Sequence, residues 1–139
     1  MKFQGLLIGS EDPRPLKDYY TKIFGQPPFE DGGYFGWQLG EAMVTFGPHD
    51  QVKGQNREPG RVLWNLESSD VKADFEKLRR AGATVVREPY RPGDDDDGDF
   101  WIATFSDPDN NYFQLMSPMP EASGSSSTTS AGSTSGRGG

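Results

Sequence analysis

Phe100–Met116, FWIATFSDPDNNYFQLM, decides how the rest of the chain is read. Phe100–Phe105 and Tyr112–Met116 carry aromatic and branched residues suited to a pleated, half-buried surface. Between them Pro108 presets one turn dihedral, Asp107 and Asp109 offer oxygens to nearby amides, and Asn110 and Asn111 tolerate positive φ. The stretch is therefore a β-hairpin. In its second strand alternation puts Tyr112, Gln114 and Met116 on one face and Phe113 and Leu115 on the other.

Upstream, the same logic gives a strand at Thr84–Arg87 and an acidic loop at Glu88–Gly98. Before these, Val71, Phe75 and Leu78 repeat at helical spacing behind a Ser69 or Asp70 cap, and Gly82 ends the helix. Gly60–Glu67 reads as the strand before that helix. The first part of the chain repeats this order. Lys2–Gly9 is a strand, and Asp12-Pro13 starts a helix carrying Leu16, Tyr20 and Ile23, with Gly25 as its stop. Pro27–Glu30, Tyr34–Leu39 and Ala42–Phe46 then read as strands turned at Asp31-Gly32-Gly33 and Gly40-Glu41. Gly47–Pro59, polar and broken, connects the halves. The order is β-α-β-β-β twice, a repeat carried by pattern and not by residue identity. The predicted fold class is α+β: two βαβββ modules, at about 2–47 and 60–118, form a cup-like curved mixed sheet around a cavity. Residues 1–119 make the domain. Residues 120–139 are a Ser/Thr/Gly-rich tail with too little apolar bulk to offset its ordering entropy, and are expected to be disordered.

Composition removes several function classes. The chain has 139 residues and a formal net charge of −7, with no basic stripe to neutralise phosphates, so no nucleic-acid partner is expected. Cysteine is absent, which excludes disulfides, thiolate metal sites and cysteine nucleophiles. No window approaches a membrane span and no signal-like segment opens the sequence, so a soluble, cytoplasmic protein without a membrane partner is the plain expectation.

Candidate chemistry is sparse. His49 is the single histidine; in a polar connection it reads as a solvated side chain, and no nucleophile motif flanks it. The acidic run Asp94–Asp97 fails the calcium-loop pattern: with Gly98 at the sixth position, Thr104 stands where a glutamate is needed. In the second module Leu63, Asn65 and Glu67 share a face assigned to the cavity, leaving Val62, Trp64 and Leu66 against the helix. Asn65 and Glu67 then need partners, from water, a ligand or Gln114. Trp37 and Trp101 are candidate stacking walls, as is Tyr112.

Asp107-Pro108-Asp109 followed by Tyr112-Phe113-Gln114-Leu115 resembles the last hairpin of the vicinal oxygen chelate superfamily. That group comprises glyoxalases, extradiol dioxygenases, fosfomycin-resistance enzymes and bleomycin-binding proteins. Leu16–Gly25, LKDYYTKIFG, is similar to its first helix, and the doubled β-α-β-β-β order is its architecture. The resemblance implies a divalent metal held by His and Glu on inward strand positions. Those positions fall on Gly5, Thr45, Leu63 and Gln114, none of them a strong ligand. The expectation is therefore no metal and no cofactor. A neutral amide at Gln114 would instead orient a ligand, with Thr45, Leu63, Asn65 and Glu67 beside it.

The leading expectation is a glyoxalase-like small-molecule-binding protein, sequestering an antibiotic or metabolite. The alternative is a lyase or oxidoreductase of the superfamily with a divergent or metal-free site using Glu67 or Glu41; no catalytic residue is assigned. A third possibility is an interaction module with a vestigial cavity. The resemblance also implies a homodimer, since such proteins pair modules between chains. One prediction belongs to the tail: deleting Pro120–Gly139 moves the melting temperature by less than ~2 °C, and a larger drop in a calorimetric scan shows that the segment packs.

Overall fold

The computed structural model describes residues 1–93 and 99–119. Strands β1 (Gly5–Ser10), β2 (Phe29–Asp31), β3 (Tyr34–Leu39) and β4 (Ala42–Pro48) form one sheet with helix α1 (Arg14–Phe24) between β1 and β2. Strands β5 (Leu63–Glu67), β6 (Thr84–Tyr90), β7 (Ile102–Ser106) and β8 (Tyr112–Met116) form the second, with helix α2 (Val71–Ala81) after β5. The sheets are ordered β1-β4-β3-β2 and β5-β8-β7-β6, so the two modules have the same topology. In each, the first strand runs parallel to the last and the other pairs are antiparallel. This is the expected α+β, cup-like architecture of open, curved sheets.

Helix boundaries follow local chemistry. Asp70 Oδ1 accepts from Ala73 N at 3.1 Å, and Gly82 closes α2 at φ 114°, a conformation that suits glycine. Val71, Phe75 and Leu78 are its buried stripe, as the spacing predicts. Helix α1 starts one residue later than expected: Pro13 occupies the cap position, and Asp12 accepts Arg14 N at 3.2 Å from outside the helix. Its buried residues are Leu16, Tyr19 and Tyr20, while Ile23 is only partly covered.

Strand edges differ more. Pro59–Arg61 is a 3₁₀ turn closed by Arg61 N to Glu58 O at 3.0 Å, so β5 begins at Leu63 and Val62 is exposed instead of packed against the helix. Strand β7 begins at Ile102 because Trp101 N donates to Ser117 Oγ, outside the ladder. Strand β6 runs past Arg87 to Tyr90 through two register shifts. Asp94–Gly98, within the expected acidic loop, and the tail from Pro120 lie outside the described residues.

One core joins the modules. Phe35, Trp37, Val44 and Phe46 of the first sheet and Trp64, Ala103, Phe105, Phe113 and Leu115 of the second bury against the helices. Tyr20 on α1 lies among them, its ring centroid 4.5 Å from Phe46, 5.7 Å from Phe113 and 6.0 Å from Trp64. Helix α2 covers the second sheet through Phe75, stacked on Phe105 at 5.5 Å.

The hairpin turn of the second module locks this arrangement. Asp107, buried, accepts from Asp109 N and Asn111 N at Oδ1, both at 2.9 Å, and from Tyr20 Oη at Oδ2, 2.8 Å. Asn110 takes positive φ (65°) to close the turn. Asp109 Oδ2 accepts from Ser10 Oγ at 2.6 Å, and Tyr19 Oη donates to Ser106 O at 2.7 Å while accepting from Thr84 N. The connection between modules is pinned there too, by Asn56 N to Asp109 O and Gln55 Nε2 to Pro108 O.

Burial pushes the Tyr19 phenol up to about 12 and raises Tyr20 well above its ordinary range, with the Asp107 carboxylate adding to both. A raised folded pKa means stability that is intact below the ordinary value of 10.0 and is lost as pH climbs through about 12. Alkaline titration at 295 nm is expected to show Tyr19 and Tyr20 ionising late, together with loss of circular dichroism. Tyr20→Phe, which removes a buried hydrogen bond to a carboxylate, costs about 1.5–3 kcal/mol. Denaturant melts with an unchanged midpoint would contradict the role given to this contact.

Candidate functional site

A strand with one face in the core presents its alternate residues on the other. The apolar faces of both sheets converge on Tyr20, so the open face of each sheet is the one opposite this shared core. The first sheet's open face carries Gly5 and Leu7 of β1, Met43, Thr45 and Gly47 of β4, and Tyr34, Gly36 and Gln38 of β3. Five of these residues, Gly5, Leu7, Tyr34, Met43 and Thr45, line a groove of about 440 Å³ together with Gln4, Leu6 and Phe29, and none of its side chains is charged.

Two glycines set its shape. A Cβ at Gly47 would sit 2.1 Å from Tyr34 Cδ2, so the tyrosine ring lies directly against the glycine, with its hydroxyl donating to Pro48 O at 3.0 Å. A Cβ at Gly5 would sit 2.1 Å from the backbone oxygen of Met43, so no larger side chain enters there unless β4 moves. Thr45 lies over Gly36, where an added Cβ would approach Thr45 Oγ1 to 3.0 Å.

The second sheet's open face is organised in rows across the strands. Leu63 is register partner of Tyr112, which pairs Ser106; Asn65 of Gln114, which pairs Thr104; and Glu67 of Met116, which pairs Ile102. Gln114 Nε2 donates to Thr104 Oγ1 at 3.1 Å, which fixes the amide and leaves its carbonyl oxygen free to accept. Asn65 and Glu67 are exposed on this face. Tyr112, Gln114 and Met116 alternate with buried Phe113 and Leu115, as alternation requires.

The expected site residues therefore divide. Leu63, Asn65, Glu67, Tyr112 and Gln114 share one face; Thr45 belongs to the open face of the other sheet and is not brought beside Gln114 within the chain. Trp37 is not a wall of either face. It is buried in the core, its ring centroid 5.8 Å from Phe24, and its Nε1 donates to Gly25 O at 2.9 Å. Trp101 is also misplaced by the expectation. It packs against the core on the helix side of the second sheet, with Lys72 Nζ of α2 3.9 Å from its ring centroid and Nε1 bonded to Asp99 Oδ1. Thr104 and Arg87, both on the row of Gln114, were not singled out from the sequence. Thr104 is foreseeable from hairpin pairing; Arg87 is not, because a register shift puts it there.

Among the described residues no cluster of His, Asp or Glu has the arrangement of a metal site. His49 lies outside both faces' central rows, half-exposed beside Asp50, its Nδ1 accepting from Gln51 N at 3.2 Å. No helix of the described residues is long and apolar enough to cross a membrane.

Comparison with known proteins agrees with this geometry. A glyoxalase-related enzyme from Fulvimarina pelagi superposes with a TM-score of 0.67 at 17% identity, over 94% of this chain and 99% of that one. A glyoxalase/bleomycin resistance protein/dioxygenase family enzyme from Burkholderia phytofirmans gives 0.63 at 18% identity, over 86% and 100%. An antibiotic binding protein from a Streptomyces species gives 0.63 at 22% identity, over 86% and 97%. At such identities these likenesses establish the fold. No curated protein matches the chain significantly in sequence. The profile of the glyoxalase-like domain matches residues 5–116, which span both modules and both open faces, and the chain belongs to that family, within the vicinal oxygen chelate superfamily.

Proposed function

We propose that this chain binds a small, largely apolar molecule on its open sheet faces without the superfamily's metal, and that two copies close each site. The observation that carries the reading is the uncharged groove bounded by Leu7, Phe29, Tyr34, Met43 and Thr45. Such a groove gains from covering apolar ligand surface, at about 25 cal/mol per Å², and asks few polar groups to be desolvated. An antibiotic binding protein with this fold supports sequestration of such a molecule.

The donor chemistry also favours a metal-free site. Gly5 has no room for a ligating side chain, Leu63 has no donor atom, and the Gln114 amide nitrogen is spent on Thr104. The oxygens of Thr45 and Gln114 are weak donors beside carboxylate and imidazole. Pairing of two chains is supported by the sheet order. Strands β1 and β5 are edges, and apolar Phe3, Leu7 and Val62 beside them are 74%, 58% and 59% exposed. Phe3 and Val62 line one pocket of the chain, between the starts of β1 and β5, and a second protomer laid against these edges covers those side chains.

Three measurements test this. Light scattering at micromolar concentration is expected to give twice the chain mass, and a monomer mass overturns the shared site. A screen for thermal stabilisation by small aromatic and amphipathic compounds is expected to return binders whose affinity falls by about 1–3 kcal/mol in Gln114→Ala, with folding almost unchanged. The purified protein is expected to carry no stoichiometric Ni, Zn, Fe or Mn, and Gln114→Glu to gain none. One tightly held ion per chain by elemental analysis would defeat the metal-free reading.

A further inference from the structure

The row that holds Gln114 does not end at Thr104. In β6 the cross-strand partner of Thr104 is Arg87, so Asn65, Gln114, Thr104 and Arg87 form one line across all four strands. With strands spaced about 4.8 Å apart, this line is roughly 14 Å long between its outer Cα atoms. Arg87 reaches the open face only through irregular pairing. Val85 is partner of Phe105, on the core side, and strict alternation would return Arg87 to that side as well. The register shift between Val85 and Arg87 leaves Val86 extra and turns Arg87 outward. A second shift, between Arg87 and Tyr90, puts Tyr90 on the same face as partner of Ile102. The guanidinium then lies flat on the Tyr90 ring, 3.4 Å from its centroid.

This arginine is exposed, and among the described residues no carboxylate pairs with it, although the chain has 21 acidic against 14 basic residues. The ion-paired arginines, Arg14, Arg61, Arg79 and Arg80, by contrast each have an acidic partner close in sequence. Arg87 instead sets its guanidinium against an aromatic ring and stays exposed, with no hydrogen bond from its N–H groups among the described residues. Stacking holds the plane without satisfying those donors. Beside it, the row of Tyr90, Ile102 and Met116 offers an apolar bed, closed at the β5 end by Glu67.

Resting on the small-molecule reading above, we infer that the ligand is an organic acid with a flat apolar body. Its carboxylate pairs with the Arg87 guanidinium, its body lies over Ile102 and Met116, and any donor on it meets the free carbonyl oxygen of Gln114. The direction is set by charge: Glu67 repels a carboxylate at the β5 end, while Arg87 attracts it at the β6 end. Tyr90 is a positioning residue, because it holds the guanidinium flat and does not itself need to touch the acid.

Isothermal titration of the full chain with 1-naphthoate and with the isosteric, neutral 1-naphthamide tests this inference. The acid is expected to bind roughly tenfold or more tightly than the amide, with a preference that shrinks as salt is raised. Arg87→Gln is expected to abolish the preference while leaving the melting temperature unchanged, and Arg87→Lys to keep part of it. Tyr90→Leu is expected to weaken acid binding more than amide binding. Equal affinity of the two probes, with binding still sensitive to Gln114→Ala, overturns the acid and leaves the small-molecule reading standing. Failure of both probes at millimolar concentration counts against both readings. Conversion of the protein to a monomer by Arg87→Gln would assign the guanidinium to the subunit contact and overturn the inference.

Discussion

The contact on which the molecule depends is the hydrogen bond from Tyr20 to Asp107. It joins the first helix to the last hairpin, 87 residues apart in sequence, and it is buried. A carboxylate in that position is costly unless its oxygens are satisfied. Here they are: two backbone amides of its own turn, the Asn111 side chain and the tyrosine hydroxyl all donate to it. Burial still raises the Asp107 carboxyl above its ordinary range, with the hydrogen bonds from Asn111, Tyr20 and Asp109 opposing the rise. The turn that shapes the hairpin is thus also the bolt between modules. Formation of one presents the acceptor for the other.

That bolt explains the aromatic packing above it. Once the Tyr20 hydroxyl is fixed, its ring sits where the buried faces of both sheets meet, against Phe46 on one side and Phe113 and Trp64 on the other. Among the described residues the core pays one visible penalty: Trp64 Nε1 is buried without a hydrogen-bond partner. Its ring, stacked on Phe113 at 5.0 Å, is held by area and shape instead. The packing that makes a single core of two modules leaves the opposite face of each sheet outside that core.

Most of the fold was legible because it rests on local signals. Helical spacing identified Val71, Phe75 and Leu78, and alternation in Tyr112–Met116 placed Gln114 opposite Phe113. The Trp37 error had a remedy in the sequence. A tight turn at Gly40-Glu41 pairs Leu39 with Ala42, hence Trp37 with Val44 and Phe35 with Phe46, a continuous apolar face that belongs in the core. Trp101 was harder, since it precedes its strand and its direction depends on the bond from Trp101 N to Ser117 Oγ. Arg87 was beyond reach of periodicity, because a register shift inverts the face it would otherwise occupy.

Separation of core from site has a consequence for how this protein can change. The residues on the open faces, Leu7, Thr45, Asn65, Gln114 and Arg87, stand outside the buried cluster, while the residues that join the sheets lie within it. Substitutions on the faces therefore come at small cost in stability, whereas a change at Tyr20 or Asp107 removes the frame for both faces at once. The glycines are the exception that ties the two together. Gly5 and Gly47 stand on the open face, yet a side chain at either would strike the Met43 backbone or the Tyr34 ring. A carboxylate or imidazole can be introduced at Gln114 by one substitution, but at Gly5 only with displacement of β4. Placing a ligating side chain at all four positions would thus demand remodelling of the sheet, because at Gly5 the obstacle is the backbone of the neighbouring strand and not the identity of a side chain.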